Sequence, residues 1–401
     1  MSRIRRLLLT ILLTVLLVFT SGCWSSKEIE DLSVYVGLGL DVAEESKFEK
    51  SINEQGGHYP KKNIFTATVQ IVPRVGGKQE NQNSSSGSSG GQTFLNEQLT
   101  GDSLFQIFRQ FALRRDRPLI GHHLKVIVVS HELSKKYSLE QLLDFVLRDN
   151  DIRPSSLVLV SKGRALDALS SKESGEIPAF YLKGLVDNAY RSNKILPPVS
   201  LSKLDGKMQS GSSFLLQNVL TADGEHKFSG AGIYKGKTKR CVGSLNQTDL
   251  EGLSWITGEA QGGALKSYAP KKGHTVIYEI KSTKSKITPK VHGDDISFHV
   301  KVESEGQLME DWSSPEIPAT EEYIDELEVQ FADTAKEQIQ QVMNKIQNTY
   351  RVEVAGFGEQ LRIKYPKVWK KVKKNWDETF SQIPVTYDVK MRITDFGSST
   401  E

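Results

Sequence analysis

Residues 296–310 read "ISFHVKVESEGQLME". Ile296, Phe298, Val300 and Val302 alternate with polar residues, which is the period of a strand with one buried and one wet face. The preceding stretch, "TVIYEIKSTKSKITPKV" (275–291), alternates in the same way, and Gly293-Asp294-Asp295 separates the two as a turn. Further along, "EEYIDELEVQFADTAKEQIQQVMNKIQ" (321–347) spaces Ile324, Leu327, Phe331, Ala335, Ile339, Val342 and Ile346 by three or four. That spacing predicts one stripe of a long helix. A second helix is predicted around 367–380. A final strand follows over 383–394, where Val385, Tyr387, Val389, Met391 and Ile393 alternate. Strands in series with two helices between them predict an antiparallel sheet backed by helices, an α+β domain over 268–396.

The N-terminal part has a different texture. "DLSVYVGLGLDV" (31–42) and "NIFTATVQIVP" (63–73) are rich in Val, Ile and Thr and read as strands. In the second, Phe65, Ala67, Val69 and Ile71 alternate with Thr66, Thr68 and Gln70. Residues 76–92 contain no apolar side chain and predict a flexible Ser/Gly loop. A helix is expected over 100–118, with Thr100 or Asp102 as its cap. Nearly continuous apolar runs at 124–130 and 155–163 read as buried strands, with a helix over 138–149 between them. Helical sequence continues over 164–196. This alternation predicts a mixed, helix-covered sheet in an N-terminal domain over 23–198. Residues 199–267 read as a smaller middle domain. It would hold a hairpin around Lys235-Gly236-Lys237 and a helix over 246–258 capped by Thr248.

Ahead of all this stands a leader. Arg3, Arg5 and Arg6 precede a thirteen-residue run, 7–19, that is apolar except for two threonines. As a helix this run spans about 20 Å, short of the ~30 Å bilayer core. A basic start, a short apolar run and small residues describe a secretory signal over 1–22. Thr20-Ser21-Gly22-Cys23 resembles a bacterial lipobox, with Thr20 where an apolar residue is usual. The resemblance implies a diacylglycerol on the Cys23 thiol and Cys23 as the new N-terminus. Two acyl chains hold a protein on a bilayer where one holds it only marginally.

Composition narrows the function. The 401 residues carry 52 Lys+Arg against 49 Asp+Glu, a formal charge of +3, and the three leader arginines account for that excess. No nucleic-acid partner is expected from such a balance. Two cysteines, Cys23 and Cys241, make neither a disulfide framework nor a zinc site. The chain has no H-E-x-x-H, C-x-x-C, G-x-S-x-G or phosphate-loop motif. We therefore expect no catalytic, cofactor or metal site and no enzymatic activity. Gly37 and Gly39 read as closely packed sheet positions, His122-His123 as a strand pair with one ring facing the core or an interface, and Cys241 as a buried apolar residue. Lys367, Lys370, Lys371, Lys373 and Lys374 surround a stripe of Trp369, Val372 and Trp376 at i, i+3, i+7. The stripe reads as core-facing. The lysines are then free to meet anionic lipid or an acidic partner.

Several stretches together resemble the Ger(x)C family, the C-subunit lipoproteins of spore germinant receptors. They are "CWSSKEIEDLSVYVGLGLD" (23–41), "IGHHLKVIVVSHEL" and "LLDFVLRDNDIRPSSLVLVSKG" within 120–163, "GAGIYKGKTKRCVGSLNQTDLEGLSWITG" (230–258) and "GFGEQLRIKYPKVWKKVKKNWDETF" (356–380). The resemblance implies an elongated three-domain protein of mixed α/β and α+β character. It further implies a lipid anchor on the outer face of the inner spore membrane, and integral membrane germinant receptor subunits of A and B type as partners. Its function would be in nutrient-triggered spore germination. The other reading weighed is a solute-binding lipoprotein feeding a membrane importer, which would show two matched α/β lobes.

Overall fold

The computed structural model describes residues 3–5, 31–73, 93–171, 175–270, 273–313 and 320–395. Cys23, the apolar run of the leader and the Ser/Gly loop 76–92 lie outside them.

Two sheets organise the chain. The first contains β1 (Ser33–Val42), β2 (Phe65–Ile71), β3 (Leu95–Gly101), the two-residue β4 (Leu119–Ile120), β5 (Val126–Ser130), β6 (Leu157–Ser161), β7 (Phe214–Ala222), β8 (Glu225–Lys235) and β9 (Arg240–Leu245). Their order is β3-β2-β1-β5-β6-β7-β8-β9, with β4 beside β1. β1, β5, β6 and β7 run parallel, and the outer strands are antiparallel. Helices cover both faces. Leu38, Leu40, Ile127 and Val129 pack on one side with helices Leu104–Phe111, Leu139–Arg148 and Leu201–Ser210. Val36, Val126 and Val128 pack on the other with Ala165–Ala168 and Pro178–Leu185. Gly37 and Gly39 lie under that second layer. A Cβ at Gly37 would stand 2.9 Å from Leu169, and one at Gly39 3.1 Å from it. The glycines let helix and sheet approach, as the sequence suggested.

Covering both faces has a cost on β2, where all seven residues are buried. The polar side, with Thr66, Thr68 and Gln70, is roofed over as well. Thr66 shares a hydroxyl contact with Thr100 at 3.0 Å. The Gln70 amide donates to Asn96 Oδ1 and to the Leu169 carbonyl, and its oxygen accepts from the Ala179 N–H. Buried polar groups persist because they are bonded.

The second sheet holds β10 (Ala264–Tyr268), β11 (Thr275–His292), β12 (Asp295–Asp311) and β13 (Val385–Asp395), in that order. β11 and β12 are antiparallel, as expected, and β10 joins them antiparallel from the segment assigned to the middle unit, but β13 runs parallel to β12. The direction of β13 follows from the connection. Helix Glu321–Asn344 and its successors form a crossover, and a crossover returns the chain in the same direction. The inner face presents Tyr278, Phe298, Val300 and Val302 to Leu327, Phe331, Ala335 and Ile339 of the long helix. Each fully buried side chain of this size stabilises the fold by about 1.5–3 kcal/mol.

The segment 199–267, expected as a middle unit, forms no sheet of its own. β7 to β9 extend the N-terminal sheet, and β10 starts the second one. Helix Gln247–Thr257 is wedged between them, with every residue from Asp249 to Ile256 buried. Asn246, not Thr248, caps it in a reciprocal box with Asp249. Gly252 passes so close to the long helix that a Cβ would meet the Gln338 carbonyl at 2.2 Å. Asp249 takes an ion pair from Lys345 at 2.7 Å. Glu251 accepts from Gln338 and pairs with Lys194 at 3.1 Å. Leu215, Ala231 and Ile233 of the first sheet thereby share one core with Val300 and Phe331 of the second body.

Two helices also differ from the sequence expectation. Ser103 caps the helix Leu104–Phe111 in place of Thr100 or Asp102, because residues 95–101 belong to β3. The helix over 367–380 is broken into Pro366–Val372, a tighter turn Lys373–Asn375, and Trp376–Phe380.

Candidate functional site

The broken helix sets the geometry of the basic run. Trp376 is buried, Trp369 and Val372 are half-buried, and all five lysines are exposed. The two indole rings meet edge to face with centroids 5.2 Å apart. Lys373 and Lys374 sit in the tight turn and line a cleft of about 790 Å³. Lys207, from helix Leu201–Ser210, and Lys235 and Lys237, at the β8–β9 turn, form its opposite wall. The cleft thus lies between the two bodies. Lys371 stands away from it, 3.6 Å from Asp294, and Lys367 and Lys370 lie on the exposed helix surface beside it.

The floor of the cleft is acidic but committed. The Glu353 carboxylate accepts from the N–H groups of Ala355, Gly356 and Gly358 at 2.7, 2.7 and 3.0 Å, and from Trp376 Nε1 at 3.0 Å. Asp377 accepts from the Glu353 N–H at 2.9 Å and from the Ser213 hydroxyl at 2.7 Å. Ser213 in turn accepts from the Gly236 N–H, so this chain of bonds ties the two walls together. Glu359 is paired with Arg362, and Glu378 lies 3.5 Å from Lys235. Six cationic side chains and four carboxylates line the cleft. Among the described residues, Lys207, Lys237, Lys373 and Lys374 make no ion pair. They form a cationic rim over satisfied acids, an arrangement that attracts anions. The sequence flagged Lys373 and Lys374. It gave no sign that the turn lysine Lys237 and Lys207 would join them, because that pairing exists only across the junction.

The remaining sequence features take structural roles. Cys241 is buried, with Sγ 2.9 Å from His131 Nε2 and 3.3 Å from the Gly243 carbonyl. Burial pushes the thiol up and the His131 imidazole down. Both are therefore neutral near pH 7, unlike a thiolate–imidazolium pair. His122 and His123 lie in a turn, not a strand, and neither is buried; His122 Nε2 stands 3.4 Å from Asp151. Among the described residues, no cluster of three or more His, Cys, Asp or Glu is placed to hold a metal ion. Nor is any helix there long and apolar enough to cross a membrane.

Fold and surface together define a class of helix-covered, two-sheet protein with a cationic cleft where the two sheets' bodies meet. Comparison with known proteins makes this specific. Residues 25–219 match the family described as the spore germination protein N-terminal domain, and residues 229–397 match spore germination B3/GerAC like, C-terminal. Spore germination protein YndF of Bacillus subtilis (strain 168) is 46% identical over 395 residues, covering 98% of both chains. Spore germination protein B3 of the same organism is 29% identical over 94% of each. The crystal structure of the GerBC protein superimposes with a TM-score of 0.60 at 28% identity, covering 84% of this chain and 96% of that one. The chain belongs to the GerAC-like spore germination family.

Proposed function

We propose that this chain is the lipid-anchored subunit of a nutrient germinant receptor. A diacylglycerol on Cys23 holds it on the outer face of the inner spore membrane. It acts through protein–protein contacts with integral membrane subunits of A and B type. The observation that carries this reading is the correspondence to spore germination proteins along almost the entire chain, in one order. The lipobox-like residues 20–23 support the anchor. The two bodies also differ in strand number, in topology and in how many faces are covered, whereas a solute receptor feeding an importer uses two matched lobes.

Cys23→Ala supplies the test. With the integral subunits absent, the variant is expected to leave the membrane fraction while its circular dichroism is unchanged. In spores, the germination response to nutrient should fall. Retention in the membrane fraction would sink the anchor. Failure of affinity capture from spore membranes to bring down integral subunits would sink the receptor assignment.

A further inference from the structure

The sheet register links the point where the chain enters the fold to the cationic rim. Gly37 of β1 is level with Val126 of β5, and Val126 with Leu157 of β6. Val160 of β6 is level with Asn218 of β7, and Phe214 of β7 with Tyr234 of β8. Counted back along these strands, Ser33 at the start of β1 and the β8–β9 turn at Lys237 fall on the same edge of the sheet. They are four strands apart, about 19 Å at ~4.8 Å per strand. Asp31 is eight positions beyond Cys23, a reach of at most about 28 Å. The second body meets the same region. Lys371 beside the β11–β12 turn, and Lys373 and Lys374 at the cleft, are on one short stretch of chain. The far end of that hairpin, where Lys266 of β10 pairs with Ile277, is roughly fifteen residues away along β11, about 50 Å.

We infer that this edge faces the bilayer and that Lys207, Lys237, Lys373 and Lys374 contact anionic lipid headgroups, a second attachment beside the acyl chains. The inference rests on the Cys23 anchor proposed above. Three observations carry it. The tether is too short to let the opposite end of the hairpin reach the membrane while the entry edge stays away. The four lysines are exposed and without ion pairs among the described residues. Six cationic side chains outnumber four carboxylates around the cleft, so it carries net positive charge, and those carboxylates are held by other partners. Long lysine stems let charges from two separate walls reach one flat anionic surface.

The test uses the full lipid-bearing protein on two kinds of vesicle, phosphatidylcholine alone and an equal mixture with phosphatidylglycerol. Bound protein is acetylated with an amine-reactive reagent, and each lysine is quantified by mass spectrometry. At low salt, Lys207, Lys237, Lys373 and Lys374 should label several-fold more slowly on the anionic vesicles. Lys266 and Lys390, on the outer face of the second sheet, should label equally on both. High salt should abolish the difference, since exposed charges are screened. Protein that pellets with both vesicles but labels identically would overturn the inference and leave the anchor standing. Protein that pellets with neither would overturn the anchor and this inference with it. Protection that needs co-reconstituted integral subunits, and then occurs on neutral vesicles too, would assign the rim to a protein contact and overturn the lipid assignment.

Discussion

In β2 of the nine-stranded sheet all seven residues are buried, whereas in β13 of the four-stranded sheet only Met391 and Ile393 of eleven are. The first strand lies between two helical layers. The second has helices on one face and water on the other. Burial on both sides forces polar residues such as Thr66, Thr68 and Gln70 to find partners inside. Burial on one side lets Lys390 and Arg392 point outward. A substitution should therefore be felt at every position of a doubly covered strand and at alternate positions of a singly covered one.

The largest effect is expected where the two bodies meet. Trp255 is fully buried on the wedge helix, and its Nε1 donates to Gln338 at 2.9 Å. Trp255→Ala should cost about 3–5 kcal/mol, read as a lower urea midpoint by far-UV circular dichroism. If only one body loosens, two transitions will separate and the shared core is less of a unit than the packing indicates. Next comes a direct contrast between strands. Gln70→Ala removes the acceptor for the Ala179 N–H and should cost about 2 kcal/mol. Lys390→Ala on β13 should leave the midpoint unchanged. Equal effects at the two sites would contradict the two-face distinction.

The smallest effect concerns pH. Burial holds the imidazoles of His131 and His226, both in the first body, below their ordinary value. Between that lowered value and the ordinary ~6.5, the unfolded chain binds more protons than the native one, so stability rises with pH there. The stability is present above about pH 6.5 and is lost as the pH falls from that point. His131→Gln with His226→Gln should flatten the fall in urea midpoint on acidification. An unchanged slope would remove these residues as its cause.

How much could be read beforehand follows from the same contrast. The alternation on β11 to β13 was visible because water marks every second residue. The continuous runs of β5 and β6 were visible because nothing interrupts them. β3, with the sequence LNEQLTG, was missed because its polar side chains find partners only after residues far along the chain arrive. The parallel return of β13 was missed because period and composition do not encode direction. For the basic surface, a run of lysines on one helix was legible, but the rim exists only once Lys207 and Lys237 are brought opposite by the fold.

The β7–β8 hairpin straddles the border between the two family regions, since one ends at residue 219 and the other begins at residue 229. Chain growth runs from the N-terminus, so when the first region has left the ribosome, β7 is the outermost strand with one row of backbone groups unsatisfied. That row is paired only when β8 has followed, at Lys235. The first body is thus finished by sequence that belongs to the second. A fragment cut at the family border would leave β7 without its neighbour, whereas one that runs past Lys235 would have it paired by β8.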